Sequence, residues 1–560
     1  MNGQRGLNRW APAIVAFGLL LGLYTLTSPG NHSEANDAYD YARRVEAPGW
    51  SELCHGQHLL YLPACKGLFI GARQARLAER AFPVMIWLSR VCGALAVVLF
   101  ALLLRRRSAD LEHSPDLAGA LQIAAWMGAG GLACSYGFWR YSNEAEIYCP
   151  ATLLVLLAWF AAAGRPTQRN AALSGLCGAL GCLLHIFAVL PTFAALPLFY
   201  LWQRRLRHAV LHLVLAGTLC GTVYLAVYGT RAVTEIFAGG AAQPEGGFRA
   251  TGLVQGAIGL TQDLTAGNFL FTQERFQQAL TRTFPHRALH RFIYTARQAD
   301  RASRTVPFVT LALLALTGLV LLAVRWKIWH AAWRPRRSLD PPLAAAAGLW
   351  FGLHALILLS REPGNPENWI MALPPLWLLI AVTLYAPLAA AGRTLLPAAM
   401  TILLLAHNYF GGLRLLARPQ GDYCAAKAAW FLTRTAPDDL IITAESDEFV
   451  RYLAYYQTAR IEHLLYDVTP SGQTRWLAMV RQHPGRVFAT PDVFQPLPSF
   501  QHRFPAQAAF IASLGRRLAP DFVRAATNEF GGVFLRQLAH SMIDTGAKNE
   551  QNPTAKKDAS

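Results

Sequence analysis

Eleven apolar stretches divide the first 411 residues: 10–28, 83–104, 117–137, 147–163, 171–186, 187–202, 209–228, 306–324, 341–360, 369–388 and 395–411. A helix needs about 20 apolar residues to cross the hydrocarbon core of a bilayer. In lipid each backbone N–H and C=O must be paired within the protein, which leaves helices as the natural form for such stretches. The pattern therefore predicts a polytopic α-helical membrane protein of about 11 transmembrane helices. The stretches hold no Asp or Glu; Arg90, His185, His212, His354 and His407 are their only cationic or imidazole side chains. Ion-driven transporters place acids inside their spans, facing the interior at mid-membrane. This chain keeps its acids elsewhere.

Lys and Arg number 51 against 33 Asp and Glu, a formal charge of +18. In a soluble domain that excess would suggest nucleic acid, but 53% of the residues are hydrophobic and only 15% charged. The basic residues fall in short clusters between apolar stretches, as in a polytopic protein that orients itself by the positive-inside rule. With the N-terminus inside, the cytoplasmic side receives Arg5, Arg9, Arg105–Arg107, Arg165, Arg169, Arg204, Arg205, Arg207, Arg325, Lys327, Arg334, Arg336, Arg337 and Arg393. The short loops opposite carry only Arg140 and Arg361. This orientation is expected in an inner (plasma) membrane and excludes nucleic acid as partner; the bilayer itself is one. The first stretch starts like a signal peptide, but its long apolar run and the lack of a clear small-x-small site predict an uncleaved helix.

On the outer side the acids collect in a first loop, residues 29–82. Glu34, Asp37, Asp40, Glu46, Glu52, His55 and His58 lie within Ser33–Pro63. Three-residue spacing puts Glu34, Asp37 and Asp40 along one side of a helix capped by Ser33, and acids in a first turn also suit a plain surface helix. The other outer features are Trp139–Tyr148 with Glu144 and Glu146, the turn at His185, a long loop from 229 to 305, and Arg361–Trp369 with Glu362 and Glu367. In the long loop, Phe271, Phe276, Leu280 and Phe284 stand near Arg275, Arg282, Arg287 and Arg291, as in a helix lying in the headgroup plane. Planar guanidinium there could hold a lipid phosphate or simply anchor to anionic lipid.

Nine cysteines show no metal-ligand spacing, and Cys92, Cys134, Cys149, Cys177, Cys182 and Cys220 read as small core residues. Cys54 and Cys65 share the first loop and could pair on an oxidising side. After about 412 the composition becomes that of a small soluble α/β domain, 412–540, following the membrane domain 1–411. Asp439–Ala444, Gly485–Thr490 and Gly531–Leu535 read as strands, and Phe449–Tyr456 as a helix. A polar tail, 541–560, is expected to be disordered. The domain carries no phosphate-binding glycine motif, and its expected place is periplasmic.

Acids gathered at one membrane face beside a basic interfacial segment suit chemistry on a lipid-borne phosphorylated substrate. Sugar transfer from a lipid phosphate needs a base for the acceptor's proton and positive charge for the departing phosphate. The sequence around Asn36-Asp-Ala-Tyr-Asp-Tyr-Ala42 directly after the first span, the long loop before the eighth span and the soluble domain after the last resemble the GT-C superfamily of polyprenyl-phosphate-sugar-dependent membrane glycosyltransferases. That superfamily includes protein mannosyltransferase-like and aminoarabinose-transferase-like enzymes. The resemblance covers about residues 1–411, more by architecture than by strict motif. It implies a GT-C-like membrane glycosyltransferase with a polyprenyl-phosphate sugar donor and a glycan, lipid or protein acceptor. Asp37 matches the family's first-loop aspartate and Asp40 is the second choice. Glu144 and Glu146 match a second acidic position that could share a divalent cation, Mg or Mn. His58, His185, Arg282, Arg287, Arg291, Glu362 and Glu367 are candidates for donor, phosphate or acceptor contact. His58 stands where the family often has His-Pro-Pro, and here the chain reads His58-Leu-Leu-Tyr-Leu-Pro63. Two other readings stay open: a lipid-linked sugar flippase, or a non-catalytic partner in envelope polysaccharide assembly.

Overall fold

The computed structural model describes residues 2–35, 37–108, 115–231, 250–269, 288–331, 340–466, 468–497, 500–501 and 504–537. Arg282, Arg287 and the tail from 541 lie outside the described residues, and Arg291 is described only as part of the helix Ala288–Arg297. The chain forms two compact units, one of residues up to 278 together with 290–426, the other from 427 onward together with 279–289.

The first unit is helical. Among the described residues seven helices are long and apolar enough to cross a bilayer: Ala81–Ser108, Asp116–Cys134, Leu206–Tyr228, Arg301–Lys327, Pro341–Arg361, Pro366–Ala390 and Leu395–Leu416. Trp10–Leu26, Tyr148–Ala162 and Ile186–Trp202 are shorter apolar helices. The remaining expected span, 171–186, is the 17-residue helix Gln168–Leu184. Leu206, Val210, Val214 and Leu225 on one helix, and Val309, Leu313, Leu316, Leu319 and Leu322 on another, are exposed. An apolar surface of that extent is what lipid covers.

Where backbones must approach closely the sequence supplies glycine. A Cβ on Gly93 would stand 2.2 Å from the hydroxyl of Ser142. Glycine there lets the segment 135–148 sink against the helix Ala81–Ser108. Every residue from Ser135 to Tyr148 is buried, so Glu144 and Glu146 are not the solvated cap that a short outer loop would offer. A core cluster of Tyr24, Ala94, Tyr136, Trp139, Ala266, Phe269, Ala296, Leu413 and Leu416 joins the first helix, this segment, the later part of the long loop and the end of the last span.

The second unit holds one five-stranded sheet. Strands β1 (Leu440–Thr443), β2 (Arg460–His463), β3 (Val487–Ala489), β4 (Phe522–Asn528) and β5 (Gly531–Arg536) take the order β2-β1-β3-β5-β4. The first three are parallel, and β5 and β4 antiparallel. Parallel neighbours need crossover helices, and Asp447–Tyr456 and Pro470–Gln482 provide them. β1 and β3 are buried throughout, and Leu440, Ile442, Val487, Ala489, Val480, Ile511 and Leu514 form the core. β1, β3 and β5 are three strands expected from sequence; β2 and β4 are additional.

Candidate active site

The chain leaving the first helix is fixed to the end of the last span. The backbone N–H groups of Gly30 and Asn31 both donate to the carbonyl of Leu416 at 2.9 Å. The Asn31 amide donates to the carbonyl of Gly421 (2.7 Å) and to the hydroxyl of Thr295 (3.1 Å). The His32 N–H donates to Asp422 Oδ2 at 3.0 Å. Because this backbone is pinned, Glu34 enters the protein at a fixed point. There it forms an ion pair with Arg140 and accepts a hydrogen bond from the Tyr136 hydroxyl at 3.3 Å.

The network continues. Arg140 reaches Glu144 Oε1 at 3.4 Å, and Glu144 Oε2 lies 2.7 Å from His32 Nδ1. Glu34, Arg140 and Glu144 are all buried. Two buried carboxylates thus face one guanidinium and one imidazole, and the set is neutral when His32 is protonated. Burial alone would lower the pKa of His32, but the Glu144 carboxylate and, beyond it, Asp422 outweigh burial and hold it above its ordinary value. A raised folded pKa contributes stability that is complete below the unfolded value of about 6.5 and is lost as pH rises through the folded value. Replacement His32→Gln is therefore expected to flatten the loss of thermal stability above about pH 6.5, measured by unfolding in detergent.

A second group surrounds Asp37. This half-buried residue stands at the N-cap position of the helix Ala38–Glu46 with no side-chain capping bond, and the Tyr41 hydroxyl donates to its Oδ2 at 3.2 Å. The Tyr41 ring meets His58 at 5.3 Å and Tyr61 at 5.8 Å, edge on. Burial first, then the charges of Asp37, Glu146 and Glu367, push the Tyr41 phenol up. The Tyr141 phenol is raised by burial, then by Glu367 and Glu146. Asp37, Glu146 and Glu367 therefore act on these phenols from three separate parts of the chain. Backbone hydrogen bonds of 2.9 Å from Leu60 to Leu183 and from Ile186 to Gln57 tie the first loop to the His185 turn. His185 lies 5.3 Å from Tyr148, and its Nδ1 accepts from the Phe187 N–H at 3.1 Å. Burial, followed by His55 and His185, pushes His58 down to about 2. It offers a neutral ring rather than a cation.

Other expected residues have local roles. Asp40 pairs with Arg43 at 2.9 Å and Arg44 at 2.7 Å on its own helix. Glu362 is exposed and accepts from the Asn365 and Asn368 amides in its own turn. Cys54 and Cys65 are free thiols; the disulfide left open by the sequence is absent. Cys65 is buried on the helix Tyr61–Gln74 beside Tyr61, where burial pushes its thiol up to about 12, while Cys54 is half-buried beyond a separate turn.

A shared cation at Glu144 and Glu146 does not fit these residues. Both oxygens of Glu144 already face Arg140 and His32. Among the described residues no three His, Cys, Asp or Glu side chains are grouped to hold a metal ion.

Glu34, Arg140, His32 and Tyr41 were not among the expected site residues. Arg140 did leave a signal: it is one of two basic residues in short outer loops, where orientation needs none.

No family model matches the sequence, and no curated protein matches it either. Solved structures do. The fold is similar to a crystal structure of ArnT from Cupriavidus metallidurans bound to undecaprenyl phosphate, with a TM-score of 0.52, 12% identity, and 95% of this chain and 99% of that one covered. The apo state of the same ArnT gives 0.45 at 12% identity, covering 95% of this chain and 98% of that one. An oligosaccharyltransferase from Archaeoglobus fulgidus in complex with Zn and sulfate gives 0.48 at 12%, covering 93% of this chain and 72% of that one. The fold assignment rests on the first, which spans nearly all of both chains. With apolar helices followed in the chain by a small α/β domain, the protein has a fold similar to that of ArnT.

Proposed function

We propose that the protein transfers a sugar from a polyprenyl-phosphate donor to an acceptor at the periplasmic face of the inner membrane. The observation that carries this is the placement of Asp37. A half-buried carboxylate, oriented by Tyr41, shares its surroundings with Glu146, Glu367, His58 and a set of buried phenols. The fold neighbour bound to undecaprenyl phosphate supports the lipid class.

In this mechanism the Asp37 carboxylate removes a proton from the acceptor nucleophile as its lone pair attacks the anomeric carbon. The bond from that carbon to the phosphate oxygen breaks, its electrons leave with the polyprenyl phosphate, and the configuration inverts. Arg291 balances the departing charge, while the neutral ring of His58 and that of His185 offer N–H donors. Glu367, whose charge bears on Tyr41 and Tyr141, is better placed than Glu362 for sugar or acceptor contact. No step runs through a metal ion. The N-terminus is cytoplasmic, the α/β domain periplasmic, and the donor enters laterally from the outer leaflet. The acceptor is a glycan, a lipid or a protein.

Asp40 is the weaker base, because it is engaged by two arginines of its own helix. Its replacement Asp40→Asn is expected to slow transfer at least about tenfold less than Asp37→Asn. Sidedness tests the placement. Cys54 is half-buried in the first loop, and an impermeant thiol reagent added to intact cells whose outer membrane has been opened should label it, with Cys54→Ala as control. Labelling only after the inner membrane is broken would put the loop in the cytoplasm and end the proposal.

A further inference from the structure

Among the described residues of the first unit, Asp263, like Glu34, has a buried carboxyl oxygen without a hydrogen-bond partner. Asp263, next to last on the helix Ala250–Leu264, is 1% exposed, and its buried Oδ2 has no hydrogen-bond partner among the described residues. The residue is held firmly. The Asn408 side chain donates to the carbonyls of Leu264 (2.8 Å) and Cys134 (2.6 Å) and accepts from the Ala266 N–H at 2.8 Å. Gly137 backs directly onto the carboxyl, since a Cβ there would stand 2.3 Å from Oδ1. A buried polar group without a partner is costly, and in native proteins such groups call for a reason.

Its electrostatic surroundings narrow the reason. Burial and then the Glu367 carboxylate push the Asp263 acid well above the ordinary carboxyl range, with Arg140 opposing. The shift favours the protonated form, and a carboxylic acid in that form can both donate and accept. Glu34 and Glu144 already balance Arg140, and Glu367 adds negative charge nearby, so an anionic ligand is disfavoured. A hydroxyl group, itself donor and acceptor, satisfies a carboxylic acid on both counts.

We infer that Asp263 is a sugar-binding residue of the proposed site, its carboxylic acid exchanging hydrogen bonds with a hydroxyl of the lipid-linked sugar. The inference rests on the glycosyl-transfer reading and adds a contact to the sugar, distinct from those to the phosphate. Gly137, which backs onto the carboxyl, lies on the same short helix, Tyr136–Tyr141, as Arg140 and Tyr141, so the contact is placed beside the site described above.

The test uses the full chain in detergent and follows thermal unfolding with bare undecaprenyl phosphate and with undecaprenyl-phosphate-linked hexoses and pentoses. Wild type should be stabilised by the bare lipid and further by at least one sugar-bearing lipid. Asp263→Leu should raise the unfolding midpoint without ligand, because an unsatisfied polar group has been removed. It should retain the shift given by bare lipid and lose the extra shift from the sugar, a loss of about tenfold in affinity. Asp263→Ala removes the same group without adding bulk, and it should lose the same extra shift where leucine impairs insertion. A purely structural acid would leave the sugar's extra shift intact in both variants and overturn the inference alone. If neither class of lipid binds wild type, the donor class fails, and the inference falls with it. Binding of bare lipid with no gain from any sugar would overturn the inference while leaving the polyprenyl-phosphate partner in place.

Discussion

Replacing Asp37 with asparagine is expected to slow sugar transfer by about 10²- to 10⁴-fold, the usual worth of a positioned general base, with the protein still folded. The side chain is half-buried and accepts a hydrogen bond from Tyr41 at 3.2 Å. An asparagine oxygen can accept the same bond, so stability should change little. What asparagine cannot do is take the acceptor's proton. Turnover per folded molecule checks this, with the folded fraction read from size-exclusion chromatography in detergent. Retention of more than about a third of wild-type turnover would place the base elsewhere, since the general-base contribution is at least about 10²-fold.

Arg140→Met should have the largest effect on stability. Arg140 is the cation between Glu34 and Glu144, and all three are buried. Truncating one member of a buried ion pair leaves a charge uncompensated, at a cost of about 3–5 kcal/mol. Here two carboxylates lose their partner, and Tyr136 and His32 are bonded to those same carboxylates. The expected outcome is poor accumulation in the membrane, or a strongly lowered unfolding temperature. Adding Glu34→Gln to Arg140→Met should restore part of the loss, because one of the two orphaned charges is then gone. If the double variant were as unstable as the sum of the single ones, the two residues would not be coupled.

Much of this was legible in the sequence, because membranes impose simple rules. Apolar length reported the helices, and the acids at helix ends suggested the region proposed here as the site. The count of crossings was harder to read. Gln168–Leu184 and Ile186–Trp202 are broken at His185, whose extended backbone interrupts the helix, and neither is as long as a straight span. In the α/β domain, the apolar runs gave β1, β3 and β5. β2 reads Arg-Ile-Glu-His and β4 carries Arg524 and Asn528. Both pair with a single neighbour, at the two edges of the sheet, and edge strands are often polar. Asp37 was proposed from its place after the first span, and the structure sets it half-buried against Tyr41. The burial of Glu144 was not legible, because it depends on Gly93 admitting Ser142 and on Arg140 turning inward. Asp263 was invisible for a related reason. Nothing in Thr261-Gln-Asp-Leu264 reveals that Gly137, more than a hundred residues away, leaves just enough room for its carboxyl.

The most direct test of the central claim is release of free polyprenyl phosphate from a panel of polyprenyl-phosphate sugars in proteoliposomes, with a crude envelope fraction as acceptor. A glycosyltransferase should release polyprenyl phosphate in step with sugar appearing on the acceptor, and Asp37→Asn should abolish both. Passage of the intact donor across the bilayer, with its sugar–phosphate bond unbroken, would contradict that account and make the protein a transporter of the lipid-linked sugar.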